Sequence, residues 1–196
     1  MKKREAGFSM VELMIVCVIM VIIAALAIPN IFQTYRNYQL DSAGHSVASL
    51  LQQARMQAVK TNQPVYVNYD NNALPNVVWV TDAPGKAYAS GNPDAAISTA
   101  ISFQPAPSNA FHAQLDAYIT GTPQVGTATG TIAFNARGLP CVAGLNPAVC
   151  SLPPGISGFE WFMQSPGGWE AVTVTSSGRI KSWRINNQSP SSTTWQ

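Results

Sequence analysis

The chain has 196 residues, of which 46% are hydrophobic and only 10% charged, with a formal net charge of +2. Residues 1–7 hold three of the eleven Lys/Arg and one of the nine Asp/Glu, so the remainder carries eight of each and is formally neutral. That balance excludes a general polyanion binder, while the roughly 160 residues beyond the first apolar run are enough for one domain with its own core.

The N-terminus reads MKKREAG and then FSMVELMIVCVIMVIIAALAIPN. From Leu13 to Ile28 no side chain is charged or strongly polar. At about 1.5 Å of rise per residue, a helix over Phe8–Ile28 spans a bilayer core of about 30 Å. Lys2, Lys3 and Arg4 hold the preceding end in the cytoplasm by the positive-inside rule, so the rest of the chain lies across the inner membrane in the periplasm. This is not a Sec-type signal, which places its apolar core before the cleavage site. Cutting after Gly7 leaves the apolar helix on the mature chain. The Gly7-Phe8 junction, Glu12 as the fifth residue counted from Phe8, and Pro29 resemble type IV prepilins and type II secretion pseudopilins. The resemblance implies a prepilin peptidase that cuts after Gly7 and methylates the new amine on Phe8. It also gives Glu12 a partner, the N-terminal ammonium of a neighbouring subunit, in a medium where an unpaired charge is costly. The alternative is that Glu12 snorkels to the cytoplasmic interface. Cys17, inside the apolar run, reads as packing only.

After Pro29 the helical pattern resumes. Ala43, Val47, Leu50, Leu51, Ala54 and Ala58 form one apolar stripe, with Gln52, Gln53, Arg55, Gln57 and Lys60 on the other faces. Pro64 disfavours helical geometry before it, which ends the helix near Thr61–Gln63. Alternation then predicts strands over Val65–Tyr69, Val77–Val80, Thr131–Asn135, Gly158–Gln164, Trp169–Thr175 and Arg179–Ile185, with a turn at Asp70-Asn71-Asn72. Residues 83–130 are rich in small residues and Pro. Loops and short strands are expected there, around Ala100–Phe103 and Leu115–Ile119. The organisation expected is a leader over 1–7, a transmembrane helix over 8–29, an amphipathic continuation over 30–63, a periplasmic β-domain over 64–187 and a polar, frayed tail over 188–196.

Cys141 and Cys150 fall in a Pro/Gly-rich loop of the periplasmic part, where oxidising conditions and a short loop favour a disulfide between them. A metal site is the weaker reading, because no His or further Cys lies near: His45 is on the helix and His112 in a predicted loop.

Phe134-Asn135-Ala136-Arg137-Gly138 resembles the F-x-x-x-G segment of the H-type pseudopilin and FimT/FimU minor-pilin group. The stretch from Val172 to Gly178-Arg179 resembles that group's closing hairpin. The group implies an α+β, pilin-like fold: a long N-terminal helix, membrane-spanning in its first half, packed on a C-terminal antiparallel β-domain of two sheets. It implies a low-copy subunit near the tip of a type IV pilus or type II secretion pseudopilus that primes assembly, with other pilins or pseudopilins as partners and no cofactor. Tip-most subunits often lack the fifth-residue Glu, so Glu12 suits a place just below the extreme tip.

The alternative is a FimT-like DNA receptor for natural transformation, in which a C-terminal Gly-Arg-x-Arg contacts DNA. Here the second base is Lys181. Arg179 and Lys181 share a strand face with Trp183, Arg184 lies opposite or at the end, and bases beside an aromatic suit a stacking site. The small charge count favours Arg179 as a structural hairpin residue. Trp79 and Tyr88 are the aromatic candidates for adhesion through the unassigned middle. An enzyme is the least favoured class, since G-x-S-x-G, H-E-x-x-H and P-loop patterns are missing and the acids are scattered singly.

Overall fold

The computed structural model describes residues 9–70, 76–89, 91, 93–105, 109–120, 122–125, 129–142 and 150–185. The leader over 1–7, the Gly7-Phe8 junction, the Asn71-Asn72 turn and the tail over 188–196 lie outside them. The chain forms two compact units, Met1–Arg36 and Asn37–Gln196.

Helix α1 (Met10–Thr61) is the longest element. Its described residues in the first unit are exposed and mostly apolar, and the helix is long and apolar enough to cross a membrane. In the second unit the stripe Leu40, Ala43, Val47, Leu50, Leu51, Ala54 and Ala58 is buried. The helix ends where its last carbonyls find a local partner. Asn62 takes the left-handed conformation at φ 53° and Gln63 N–H donates to Ala58 O at 3.3 Å. This is a Schellman cap, and Pro64 then prevents continuation.

Among the described residues ten strands follow: β1 (Val65–Asp70), β2 (Asn76–Thr81), β3 (Asp94–Ile97), β4 (Ser102–Gln104), β5 (Thr122–Val125), β6 (Thr129–Phe134), β7 (Pro140–Cys141), β8 (Ile156–Ser165), β9 (Gly168–Thr175) and β10 (Ile180–Ile185). A second helix, α2 (Asn109–Ile119), lies between β4 and β5. One sheet has the order β3-β2-β1-β6-β7, antiparallel throughout, with Val67 opposite both Val80 and Ile132. The other has the antiparallel order β10-β9-β8-β4, with Trp161 opposite Val172. Strand β5 adds to β8 in parallel, a departure from a purely antiparallel domain.

The fold is therefore a long helix packed against two sheets. The helical stripe, Val67 and Tyr69 of β1, Val80 of β2, Trp161 and Met163 of β8, and Val172 and Val174 of β9 share one core. Tyr69 lies edge-on to Trp161 at 4.6 Å between centroids, an edge-to-face geometry that aromatic pairs prefer. A second cluster forms on the opposite face of the β8–β9–β10 sheet. There Leu115 of α2 covers Phe162, Trp169, Ala171, Trp183 and Ile185. Strands β8 and β9 are thus buried on both faces.

Two expectations for the middle region change. Leu115–Ile119 is helical rather than a strand, because Leu115 and Ile119 are one helical turn apart and both fully buried. His112 accordingly lies in α2 rather than in a loop. Strands β3 and β5 are additional to the expected pair of short strands.

Candidate functional site

Glu12 lies in the first turn of α1 and is exposed, as are the apolar residues that follow it. The one carboxylate of the run therefore stands at its beginning, on a surface the first unit leaves uncovered. Cys17 is a free, exposed thiol. Cys141 and Cys150 are joined by a disulfide, with Cα atoms 5.2 Å apart, and Val142 bridges to Ser151 beside it. Among the described residues no group of His, Cys, Asp and Glu is arranged to hold a metal ion.

The F-x-x-x-G and Gly-Arg segments meet around one side chain of α1. Phe134 is fully buried and anchors the end of β6. Asn135 Oδ1 accepts from Arg137 N–H at 2.9 Å and Leu139 N–H at 3.1 Å, which folds the turn back on itself. Gly138 turns at φ 72°, and its carbonyl accepts from Arg55 Nε at 2.9 Å. Gly178 turns at φ 80°, and a Cβ there would lie 2.7 Å from Gly138 O and 3.0 Å from Arg55 Nε. Gly178 is required twice over, by backbone conformation and by close approach to a backbone oxygen, and Gly138 by its conformation. The second turn is further fixed by Gly178 N–H to Thr175 O at 2.8 Å and Arg179 N–H to Thr175 Oγ1 at 3.1 Å. Sequence reasoning placed Arg55 on the polar face of the helix. No local pattern pairs it with Gly138, 83 residues away.

The three C-terminal bases do not form one patch. Arg179 stands 5.4 Å from the Tyr118 ring centroid, and Lys181 Nζ lies 3.4 Å from the Trp183 centroid and 5.7 Å from that of Tyr118. Trp183 donates from Nε1 to Thr173 Oγ1 at 2.9 Å. Arg179, Lys181 and Trp183 share a face as expected, but the rings there are already covered by cations. Arg184 points to the opposite face and pairs with Asp41 of α1 at 3.5 Å. Trp79 and Tyr88 form a loop support: Trp79 is buried and donates to Lys86 O at 2.9 Å, while Tyr88 donates to Asp94 Oδ2 at 2.6 Å.

Arg184 belongs to a part-buried polar cluster that the sequence did not reveal. Opposite it on β9 is Glu170, 2% exposed, with Oε2 unpartnered. Glu170 Oε1 lies against Gly44 of α1, where a Cβ would collide with it. Burial raises the Glu170 carboxyl to about 8, with the Asp41 carboxylate adding to the rise and Arg184 opposing it.

A long helix beginning as an exposed apolar rod and ending as the core of a two-sheet domain defines a pilin-like subunit. The sequence profile of the prokaryotic N-terminal methylation motif matches residues 2–28, and that of type II transport protein GspH matches residues 43–178. The chain belongs to the GspH pseudopilin family, and it is a structural subunit rather than an enzyme. The GspH match ends at Gly178, the second glycine of the Arg55 clasp. Among solved structures, the chain is similar to the type IV minor pilin FimU of Pseudomonas aeruginosa at 15% identity in two crystal forms. One has a TM-score of 0.46 over 76% of this chain and 90% of that one, and the other 0.44 over 73% and 91%. No curated protein sequence matches the chain.

Proposed function

We propose that this chain is a low-copy subunit that enters the tip region of a type II secretion pseudopilus or type IV pilus and primes its assembly. The single observation that carries the proposal is the coupling of a methylation motif over 2–28 to a GspH domain over 43–178 in one chain. The exposed apolar part of α1 in the first unit has to be covered by lipid or by other apolar helices, which a filament core supplies after the membrane. Prepilin peptidase cuts between Gly7 and Phe8, and the mature chain stays anchored in the inner membrane with its second unit in the periplasm. Glu12 pairs with the N-terminal ammonium of a neighbouring subunit, which places this chain below the extreme tip.

Two measurements test this. Intact-mass analysis of the membrane-extracted chain is expected to give a methylated N-terminus at Phe8; a mature end elsewhere defeats the prepilin reading. Deleting the gene is expected to cut filament number while the major subunit accumulates in the membrane. Filaments formed in undiminished number would remove the priming role.

A further inference from the structure

The end of α1 and the β9–β10 turn enclose a groove of about 770 Å³. Its floor is aliphatic, with Met56 and Val59 from the helix and Ile180 from β10; its rim is basic, with Arg55, Lys60 and Arg179. No acidic residue lines it. We infer that this groove seats an acidic segment, anchored by apolar side chains, from a different pilin-like subunit of the same filament. The inference rests on the filament role proposed above.

Two independent features of the surface support it. The first is apolar exposure. Among the described residues of the second unit, the exposed aliphatic side chains of large size are Met56, Val59 and Leu139, at 66%, 54% and 36%. Leu139 follows Gly138, whose Cβ position lies 3.0 Å from Val59 Cγ2, so all three gather at one end of the domain. Elsewhere within the second unit this helix exposes chiefly polar residues, so a flexible Met and a Val on its outer side have no role in its own core. The second feature is charge. Arg55, Lys60 and Arg179, with Arg137 in the adjoining turn, make no ion pair among the described residues. Three cations without an ion pair among the described residues, set around an apolar floor in a chain whose residues 8–196 are formally neutral, leave this end charge-complementary to an acidic partner.

The groove is also held in shape before any partner arrives. Arg55 Nε is fixed on Gly138 O at 2.9 Å, so this lining side chain is already ordered. A preformed seat lowers the ordering cost of docking. The aliphatic floor favours a peptide over a nucleic acid, because it offers no ring on which a base could stack. The nearby rings of Tyr118 and Trp183 are occupied by Arg179 and Lys181.

The test places benzoylphenylalanine at Met56 in the full chain, in cells carrying its complete filament machine. Irradiation followed by mass spectrometry is expected to yield an adduct with another pilin-like subunit, through a peptide containing Asp or Glu. Adding Lys60→Glu with Arg179→Glu is expected to lower the adduct about tenfold or more, because like charges then face each other. The melting profile and cleavage after Gly7 should be unchanged by the pair. A missing adduct, a self-adduct, a non-acidic peptide or an adduct indifferent to charge reversal overturns the inference. So does a salt-sensitive shift of a short random-sequence DNA duplex by the full chain in detergent micelles that the double variant loses, since the occupant is then nucleic acid. Normal cleavage with no adduct rejects the groove alone, whereas failed cleavage rejects the filament role beneath it.

Discussion

Gly178 carries two constraints that a single methyl group would violate together. Its φ of 80° lies in the left-handed region, and its Cβ position is 2.7 Å from a backbone oxygen that is itself held by Arg55. Gly178→Ala is therefore expected to destabilise the second unit by about 1–3 kcal/mol, read as a lowered urea midpoint with unchanged m-value. Glu170 supplies a test with the opposite character, because its carboxyl is disfavoured only when ionised. Its ordinary value is 4.5 and burial lifts it to about 8 in the folded chain. Between those values the folded state keeps a proton that the unfolded state has released. The stability associated with this group is therefore complete below about 4.5 and is lost as pH rises through about 8, with a slope of at most about 1.4 kcal/mol per pH unit. Glu170→Gln is expected to flatten this slope and to raise the melting temperature at pH 8 relative to the parent, with little change at pH 5. Parallel pH profiles for the two chains would remove Glu170 as the source.

At the scale of elements, the disulfide joins Cys141 of β7, a strand of only two residues, to Cys150 at a sequence separation of 9. Cross-linking so short a loop contributes about 2–3 kcal/mol in the chain-entropy model. Cys141 is fully buried against Tyr66 and Ala133, so reduction also releases a packed contact. Mild reduction is expected to lower the melting temperature, with Cys17 remaining unlinked in non-reducing peptide maps; an unchanged melt would show that β7 needs no staple. The elements differ in how legible they were. The stripe of α1 from Ala43 to Ala58 was readable because one of its faces is buried and the others wet. Strand β1 was readable from Val65, Val67 and Tyr69. Helix α2 was misread because Leu115 and Ile119 also frame a short strand-like run. Strand β5 hid because it pairs in parallel with β8, without a hairpin turn to announce it. The Arg55 clasp and the Glu170 cluster each join α1 to residues more than 80 positions away, and no periodicity records such a meeting.

At the scale of the whole molecule, the chain divides its hydrophobicity between two different solvents. The second unit buries its apolar residues in its own core, while the first leaves Leu13 to Ile28 uncovered. The exposed rod is stable only in lipid or among other apolar helices, and Glu12 is the one group in it that distinguishes these two media. In lipid the carboxylate is a cost. In the pairing proposed above, a neighbour's N-terminal ammonium would offset that cost and set the stagger between subunits. Glu12→Ala is therefore expected to leave the chain processed and membrane-embedded, with slightly easier insertion, but to impair its entry into filaments. Quantifying the variant in membranes and in sheared filaments separates the two effects. Recovery in filaments at the parental level would mean that apolar packing alone aligns the helices. Loss from the membrane fraction would mean that Glu12 serves insertion rather than pairing.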